Sequence, residues 1–113
     1  MIKRGEIWVG DLRPGVGREV VKKRPVIIVS KNEINTISPT VIVIPISSQT
    51  YPILGPERIF LPAKGTKLEK DSVILVYQIR AIDKQRLIKK IGTLPPKTLK
   101  AVEQSLKLIL DLK

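Results

Sequence analysis

Short runs of β-branched and aliphatic residues recur between Gly, Pro, Asn and Ser punctuation, over Glu6 to Leu12, Pro25 to Ser30, Thr40 to Ile46, Arg58 to Leu61, Ser72 to Arg80 and Arg86 to Ile91. Runs of this length and content predict the strands of an antiparallel sheet. Val26-Ile27-Ile28-Val29 and Val73-Ile74-Leu75-Val76 are apolar without alternation, the pattern of central strands covered on both faces. Pro45 removes a ladder donor from the third run, which predicts a bulge or an edge there and re-aims Ser47, Ser48 and Gln49. From about Pro96 to Leu112 the apolar period lengthens to that of a helix, with Pro96 suited to its first turn. Leu99, Val102, Leu106, Ile109 and Leu110 form one apolar stripe, and Ala101, Ser105, Leu108 and Leu112 form a second beside it. Together they span roughly 200° at ~100° per residue. One layer does not cover both, so the second stripe is expected to meet another chain, most simply a second copy. The whole pattern predicts a mainly β small barrel with a covering C-terminal helix.

Composition narrows this picture. The chain has 113 residues, 42% of them hydrophobic, which predicts one domain over residues 1–113. A chain of this length buries roughly 65% of its unfolded surface, enough to fold without disulfide or metal. Cysteine is absent, so the chain has no disulfide framework, thiol nucleophile or thiolate metal site. Its longest apolar runs, Val41 to Ile46 and Val73 to Tyr77, fall far short of the ~20 residues that cross a bilayer. Met1 to Glu6 reach charge and glycine before an apolar stretch of signal-peptide length. A soluble, cytoplasmic protein with no membrane partner is expected.

Charge then selects the partner. Twenty-one Lys and Arg stand against ten Asp and Glu, a net charge of +11 without any histidine, which favours a polyanion or an acidic partner, nucleic acid first; sign alone does not separate RNA, DNA and an acidic protein. Lys22-Lys23-Arg24 runs directly into the apolar run that Pro25 opens. Pro25 fixes its own φ and holds Arg24 extended, so this guanidinium leaves a stiff scaffold and is well placed to grip a phosphate. Gly15-Val16-Gly17 precedes no helix pattern. It therefore reads as a hairpin loop carrying Arg18 and Glu19 and not as a phosphate-binding loop. Without histidine, two-imidazole RNA cleavage and a Ser-His-Asp triad are closed. Glu69 and Asp71 flank Lys70 without His or Cys beside them, a solvated turn before a metal site. What remains for chemistry is Arg24, the hydroxyls of Ser47 and Ser48, the amides of Gln49 and Gln78, and scattered carboxylates.

Arg4-Gly5-Glu6-Ile7-Trp8, Lys23-Arg24-Pro25-Val26, Ile44-Pro45-Ile46-Ser47-Ser48, Lys70-Asp71-Ser72-Val73, Gln78-Ile79-Arg80 with Ile82-Asp83, and Ile91-Gly92-Thr93-Leu94 together resemble the MazF/PemK family of toxin endoribonucleases over essentially the whole chain. The resemblance implies a CcdB-like, SH3-like barrel with a C-terminal helix, a homodimer, and an acidic, partly disordered antitoxin as partner. It implies cleavage of single-stranded RNA without metal or other cofactor, by attack of the substrate's own 2′-hydroxyl, leaving a 2′,3′-cyclic phosphate and a 5′-hydroxyl. The family's arginine falls on Arg24 and its hydroxyl on Ser47, with Glu19 the candidate base. Arg18, Lys22, Lys23, Ser48, Gln49, Tyr77, Gln78 and Arg80 are the RNA-contact candidates.

Three departures from the family bear on how such a site works. Serine at 47 stands where threonine is common, keeping the hydroxyl but losing the methyl that stiffens its rotamer. The stretch from Gly17 to Arg24 lacks the usual glutamine and glycine after the glutamate, which stiffens the loop and makes it more cationic. Tyr77 stands where an acidic residue is frequent and offers a surface for stacking a base. Two other functions fit the composition: a noncatalytic SH3-like nucleic-acid-binding module, and a CcdB-like gyrase poison, which relies on an aromatic C-terminal end where this chain has Leu110-Asp111-Leu112-Lys113.

Overall fold

A computed structural model describes residues 1–17, 19, 22–49 and 55–113. Among these described residues, seven strands and two α-helices follow in the order β1 (Glu6–Asp11), β2 (Lys23–Ile28), α1 (Asn32–Ile37), β3 (Thr40–Ser47), β4 (Arg58–Leu61), β5 (Ser72–Leu75), β6 (Arg80–Asp83), β7 (Leu87–Thr93) and α2 (Pro96–Ile109). The sheet runs β4-β5-β3-β2-β1-β7, with β6 also pairing β3, and all these pairs are antiparallel. No helix among the described residues is long and apolar enough to cross a membrane.

The unalternating apolar runs are explained by two cores, one on each face of the sheet. Ile7, Ile27, Ile44, Ile46, Ile74 and Val76 join Val102, Leu99 and Leu106 of α2 in the first. Val26, Ile28, Val41, Val43, Val73 and Leu75 join Ile82 and the partly buried Trp8 in the second. Successive residues of β2, β3 and β5 thus enter opposite cores, so neither face carries a polar alternation. Each fully buried aliphatic side chain contributes about 1.5–3 kcal/mol.

Pro45 lies neither on an edge strand nor at a register shift. It pairs with Val26 of β2 in the middle of β3. On the other side of β3, β6 pairs with Thr40–Val43 and β5 with Ile46 and Ser47. Pro45 falls between these two partners, where no ladder donor is required. The run read as one strand from Ser72 to Arg80 is likewise divided, because a 3₁₀ turn at Val76–Gln78 separates β5 from β6.

Helix α1 was not foreseen, since Asn32-Glu33-Ile34-Asn35-Thr36-Ile37 is only six residues long and Glu33 is its one strong helix former. Tertiary hydrogen bonds hold it. The buried Asn35 donates from Nδ2 to the Ser30 carbonyl at 2.9 Å, its Oδ1 accepts the Ser30 hydroxyl, and that hydroxyl oxygen accepts the Ile42 amide at 3.0 Å.

Helix α2 stops at Ile109, short of the expected Leu112. Asp111 turns left-handed at φ 56°, and the Leu112 amide donates back to the Lys107 carbonyl, a helix-ending geometry. Leu110 therefore leaves the inner stripe and is 51% exposed, while Ser105 is buried, donating its hydroxyl to the Pro56 carbonyl. Leu108 and Leu112 keep the outer face apolar, 68% and 57% exposed.

Candidate functional site

Residues of β1, β2, β3 and β7, with the loop that precedes β5, line an open cleft of about 690 Å³. Its strand side is formed by Lys23, Arg24 and Pro25 of β2, Ser47 at the end of β3, and Lys89, Lys90 and Ile91 of β7. Its loop side is formed by Lys67, Leu68, Glu69 and Lys70, with Lys22, Ser48 and Gln49 at the adjoining loop ends. Seven cations against the single carboxylate of Glu69 make this lining strongly positive, and a concave surface focuses that potential on an anion.

Arg24 and Ser47 reach the cleft by strand pairing. Gly10 of β1 pairs with Arg24, and two residues beyond the Val26↔Pro45 pair on each strand lie Arg24 and Ser47. Arg24 is half-buried and Ser47 is 2% exposed. The Ser47 hydroxyl oxygen accepts the Gln49 amide at 3.2 Å, which fixes the oxygen and leaves its proton to be donated. A forked cation and a fixed hydroxyl are suited to the nonbridging oxygens of a phosphate.

The loop side is positioned by a close backbone contact. A Cβ built on Gly92 of β7 would lie 2.3 Å from the Thr66 carbonyl oxygen, so only glycine lets the 62–71 loop pack against this strand. Thr66 is fully buried. Its hydroxyl donates to the Ala63 carbonyl at 2.6 Å and accepts the Leu68 amide at 3.1 Å, while Asp71 accepts the Ala63 amide at 2.8 Å. Asp71 is thereby a loop brace, whereas Glu69 faces the cleft.

At the base of the β1–β2 connection, Arg13 forks onto the Asp11 carboxylate at 3.0 and 2.8 Å. Those hydrogen bonds, with the charge of Arg13 and Lys23, hold the Asp11 carboxyl far below the usual range. Arg86 donates to the Asp11 carbonyl at 3.0 Å and to that of Arg13.

The structure thus brings together Lys22, Lys23, Arg24, Ser47, Ser48 and Gln49 of the candidates named from the sequence. Arg18 lies outside the described residues. Glu19 is exposed and does not line the cleft; its carboxylate accepts the Val16 amide at 2.6 Å. Tyr77 and Gln78 lie in the 3₁₀ turn after β5 and Arg80 opposite Val43 at the start of β6, all three outside the lining. Tyr77 is instead joined to Arg58, whose guanidinium sits 5.5 Å from the ring centroid and donates to its hydroxyl at 3.3 Å.

Sequence reasoning missed Lys67, Lys70, Lys89 and Lys90 as cleft residues. Lys89-Lys90 interrupts the apolar pattern of the last strand, which was a visible signal. Lys67 and Lys70 become cleft residues only through the Gly92–Thr66 contact, which has no local signature.

Fold and cleft together describe a small, mainly β protein with a C-terminal helix and a strongly cationic cleft. Residues 3–110 match the family of PemK-like, MazF-like toxins of type II toxin–antitoxin systems, and the chain belongs to that family. It is 40% identical over 112 residues to Endoribonuclease EndoA of Bacillus subtilis (strain 168), covering 99% of this chain and 97% of that protein. Its fold is shared with MazF from Deinococcus radiodurans, with TM-score 0.85 at 22% identity over 98% of this chain and 97% of the other. It is also shared with a mycobacterial endoribonuclease solved in complex with its cognate antitoxin, with TM-score 0.82 at 21% identity over 100% and 98%.

Proposed function

We propose that this chain is an endoribonuclease toxin that cleaves single-stranded RNA in the cleft through Arg24 and Ser47. The observation that carries the reading is the gathering of those two side chains into one strongly cationic lining, in a member of a toxin family whose relative is an endoribonuclease. The substrate's 2′-oxygen attacks the adjacent phosphorus, the P–O5′ bond breaks, and the products are a 2′,3′-cyclic phosphate and a 5′-hydroxyl. Negative charge gathers on the nonbridging oxygens during this step. The Arg24 fork and the Ser47 hydroxyl stabilise it. Arg24 stays protonated, as a guanidinium does, so it serves as an electrostatic clamp and a hydrogen-bond donor toward the leaving oxygen but not as a base. The 2′ proton passes to a carboxylate, and the leaving 5′-oxygen takes a proton from solvent water to become the 5′-hydroxyl. Glu69 is the carboxylate within the lining, while Glu19, the candidate base by family resemblance, stands outside it. Because the nucleophile belongs to the substrate, in-line positioning supplies much of the acceleration.

The cations of the lining track the RNA backbone, which gives affinity that falls with salt. The same charge suits an acidic antitoxin segment that orders as it binds. The apolar outer face of α2, with Leu108 and Leu112, is assigned to a homodimer contact. Light scattering is expected to give twice the chain mass, and a Leu108→Glu variant the single-chain mass.

The deciding experiment is incubation with long single-stranded RNA in EDTA. Wild type is expected to give fragments with 5′-hydroxyl ends and Arg24→Ala to give none. Intact RNA with wild type, or equal cutting by both proteins, overturns the assignment and leaves a noncatalytic nucleic-acid-binding module.

A further inference from the structure

Glu6 is a carboxylate only 6% exposed, and the reaction described above does not use it. Its Oε1 accepts the Lys3 amide at 2.8 Å and the Trp8 indole N–H at 3.0 Å, and its Oε2 meets the Lys90 ammonium at 2.8 Å. A lone buried carboxylate is costly, and here every contact is a donor. Lys90 is the half-exposed end of this arrangement and lines the cleft. The other cleft lysines, Lys22, Lys23, Lys67, Lys70 and Lys89, make no salt bridge among the described residues.

We propose that Glu6 is a positioning residue that pins Lys90 in the cleft, so that the ammonium's remaining N–H donors hold a backbone phosphate beside the scissile one. The inference rests on the RNA-cleavage reading. A flexible lysine brings charge but no fixed geometry, whereas one tied at 2.8 Å to a buried acceptor presents its other donors from a defined point. Glu6 also cancels the charge of Lys90. The pair therefore contributes direction to RNA binding and little long-range attraction, and the unpaired lysines supply the attraction.

Three variants separate this from a purely structural role. In Glu6→Gln, the amide oxygen still accepts from Lys3 and Trp8, but the NH₂ faces Lys90 as a second donor and releases it. Single-turnover cleavage of a short RNA is expected to slow about tenfold. Binding of a noncleavable 2′-deoxy analogue should remain at low salt and become steeper in log[salt], by up to ~0.7 for one regained cation on a single strand. Lys90→Ala should lose roughly the same tenfold in rate, with a smaller change in salt slope than Lys89→Ala. Lys90→Arg, which keeps the ion pair, should recover most of the rate. In the Lys90→Ala background, Glu6→Gln should cost nothing further. The assignment is overturned if Lys90→Ala cuts like wild type, or if Glu6→Gln costs the same with and without Lys90. The exposed Lys90 variants carry the test even where Glu6→Gln lowers the melting temperature. Wild type that neither binds nor cuts RNA overturns the underlying reading as well, whereas wild type that cuts, with Lys90→Ala its equal, overturns this assignment alone.

Discussion

The two sides of the cleft are both cationic but are held by different physical means. Arg24, Ser47, Lys89 and Lys90 stand on strands whose pairing fixes them, and behind them lie two buried cores. Lys67 and Lys70 stand on a loop kept in place by one glycine-enabled backbone contact and a few hydrogen bonds around Ala63 and Thr66. A side chain on paired strands costs little reorganisation when the transition state forms, which is what charge stabilisation of a reaction needs. A loop side chain serves attraction, where exact placement matters less. Arg24, Ser47 and the pinned Lys90 on the strand side should therefore govern rate, and the loop lysines should govern affinity.

The largest effect expected from this contrast is on the strand side. Arg24→Ala should lower single-turnover cleavage by about 100-fold to 1,000-fold, the cost of ~3–4 kcal/mol typical of a lost transition-state donor. Arg24→Lys should not restore it, because an ammonium lacks the fork. Ser47→Ala should fall at the lower end of the same range, while Ser47→Thr should cut at least as fast as wild type, since the hydroxyl remains and its rotamer stiffens. Equal rates for Ser47→Ala and wild type would remove the hydroxyl from the chemistry.

Next in size is the loop side's dependence on Gly92. Adding a Cβ there sets it 2.3 Å from the Thr66 carbonyl oxygen, and neither backbone yields cheaply. Gly92→Ala should destabilise by about 1–3 kcal/mol, the usual cost of overpacking, readable as a lower melting temperature. Its RNA affinity should fall more than its maximal rate. An unchanged melting temperature would show that the loop is not held by this contact.

This contrast also marks what the sequence made legible. The strands, the C-terminal helix and the Arg24–Pro25 cation were readable because period, apolar runs and proline act over a few residues. That Arg24 and Ser47 belong to one site was legible only through the family resemblance, and the strand register that sets both two residues beyond the Val26↔Pro45 pair is a finding of the structure. Lys67 and Lys70 were not readable, because their place depends on Gly92 meeting a carbonyl 26 residues earlier in the chain. Helix α1 escaped for the same reason, being held by Ser30 and Ile42 and not by its own propensity. Ser105 was misassigned to the outer face because a serine carries no hydrophobic signal, although its hydroxyl is satisfied inside by the Pro56 carbonyl.

Smaller again are the individual loop lysines. Lys67→Ala and Lys70→Ala should each weaken RNA binding modestly and lower the slope of log K against log[salt] by about 0.7 for one lost phosphate contact on a single strand. Cleavage at saturating RNA should stay near wild type. A drop in saturated rate comparable to that of Ser47→Ala would break the division between the two sides, by making the loop a catalytic wall.

The smallest effect is on pH-dependent stability and concerns the strand side alone. Burial raises the Glu6 pKa, but the hydrogen bonds from Lys90, the Lys3 amide and Trp8, with the charge of Lys90, outweigh it and leave the group below its ordinary 4.5. A carboxyl depressed by folding binds its proton more tightly in the unfolded chain. Its contribution to stability is thus complete above about pH 4.5 and is lost as pH falls through the folded-state value. Melting temperatures measured from pH 7 down to 3 should therefore decline in wild type from about pH 4.5. Glu6→Gln has no proton to gain there, so its acid decline should be shallower, and the gap between the two proteins should narrow as the pH falls. Parallel declines would show that Glu6 does not hold the strand side through its charge, and Lys90 would then be placed by packing against β1 alone.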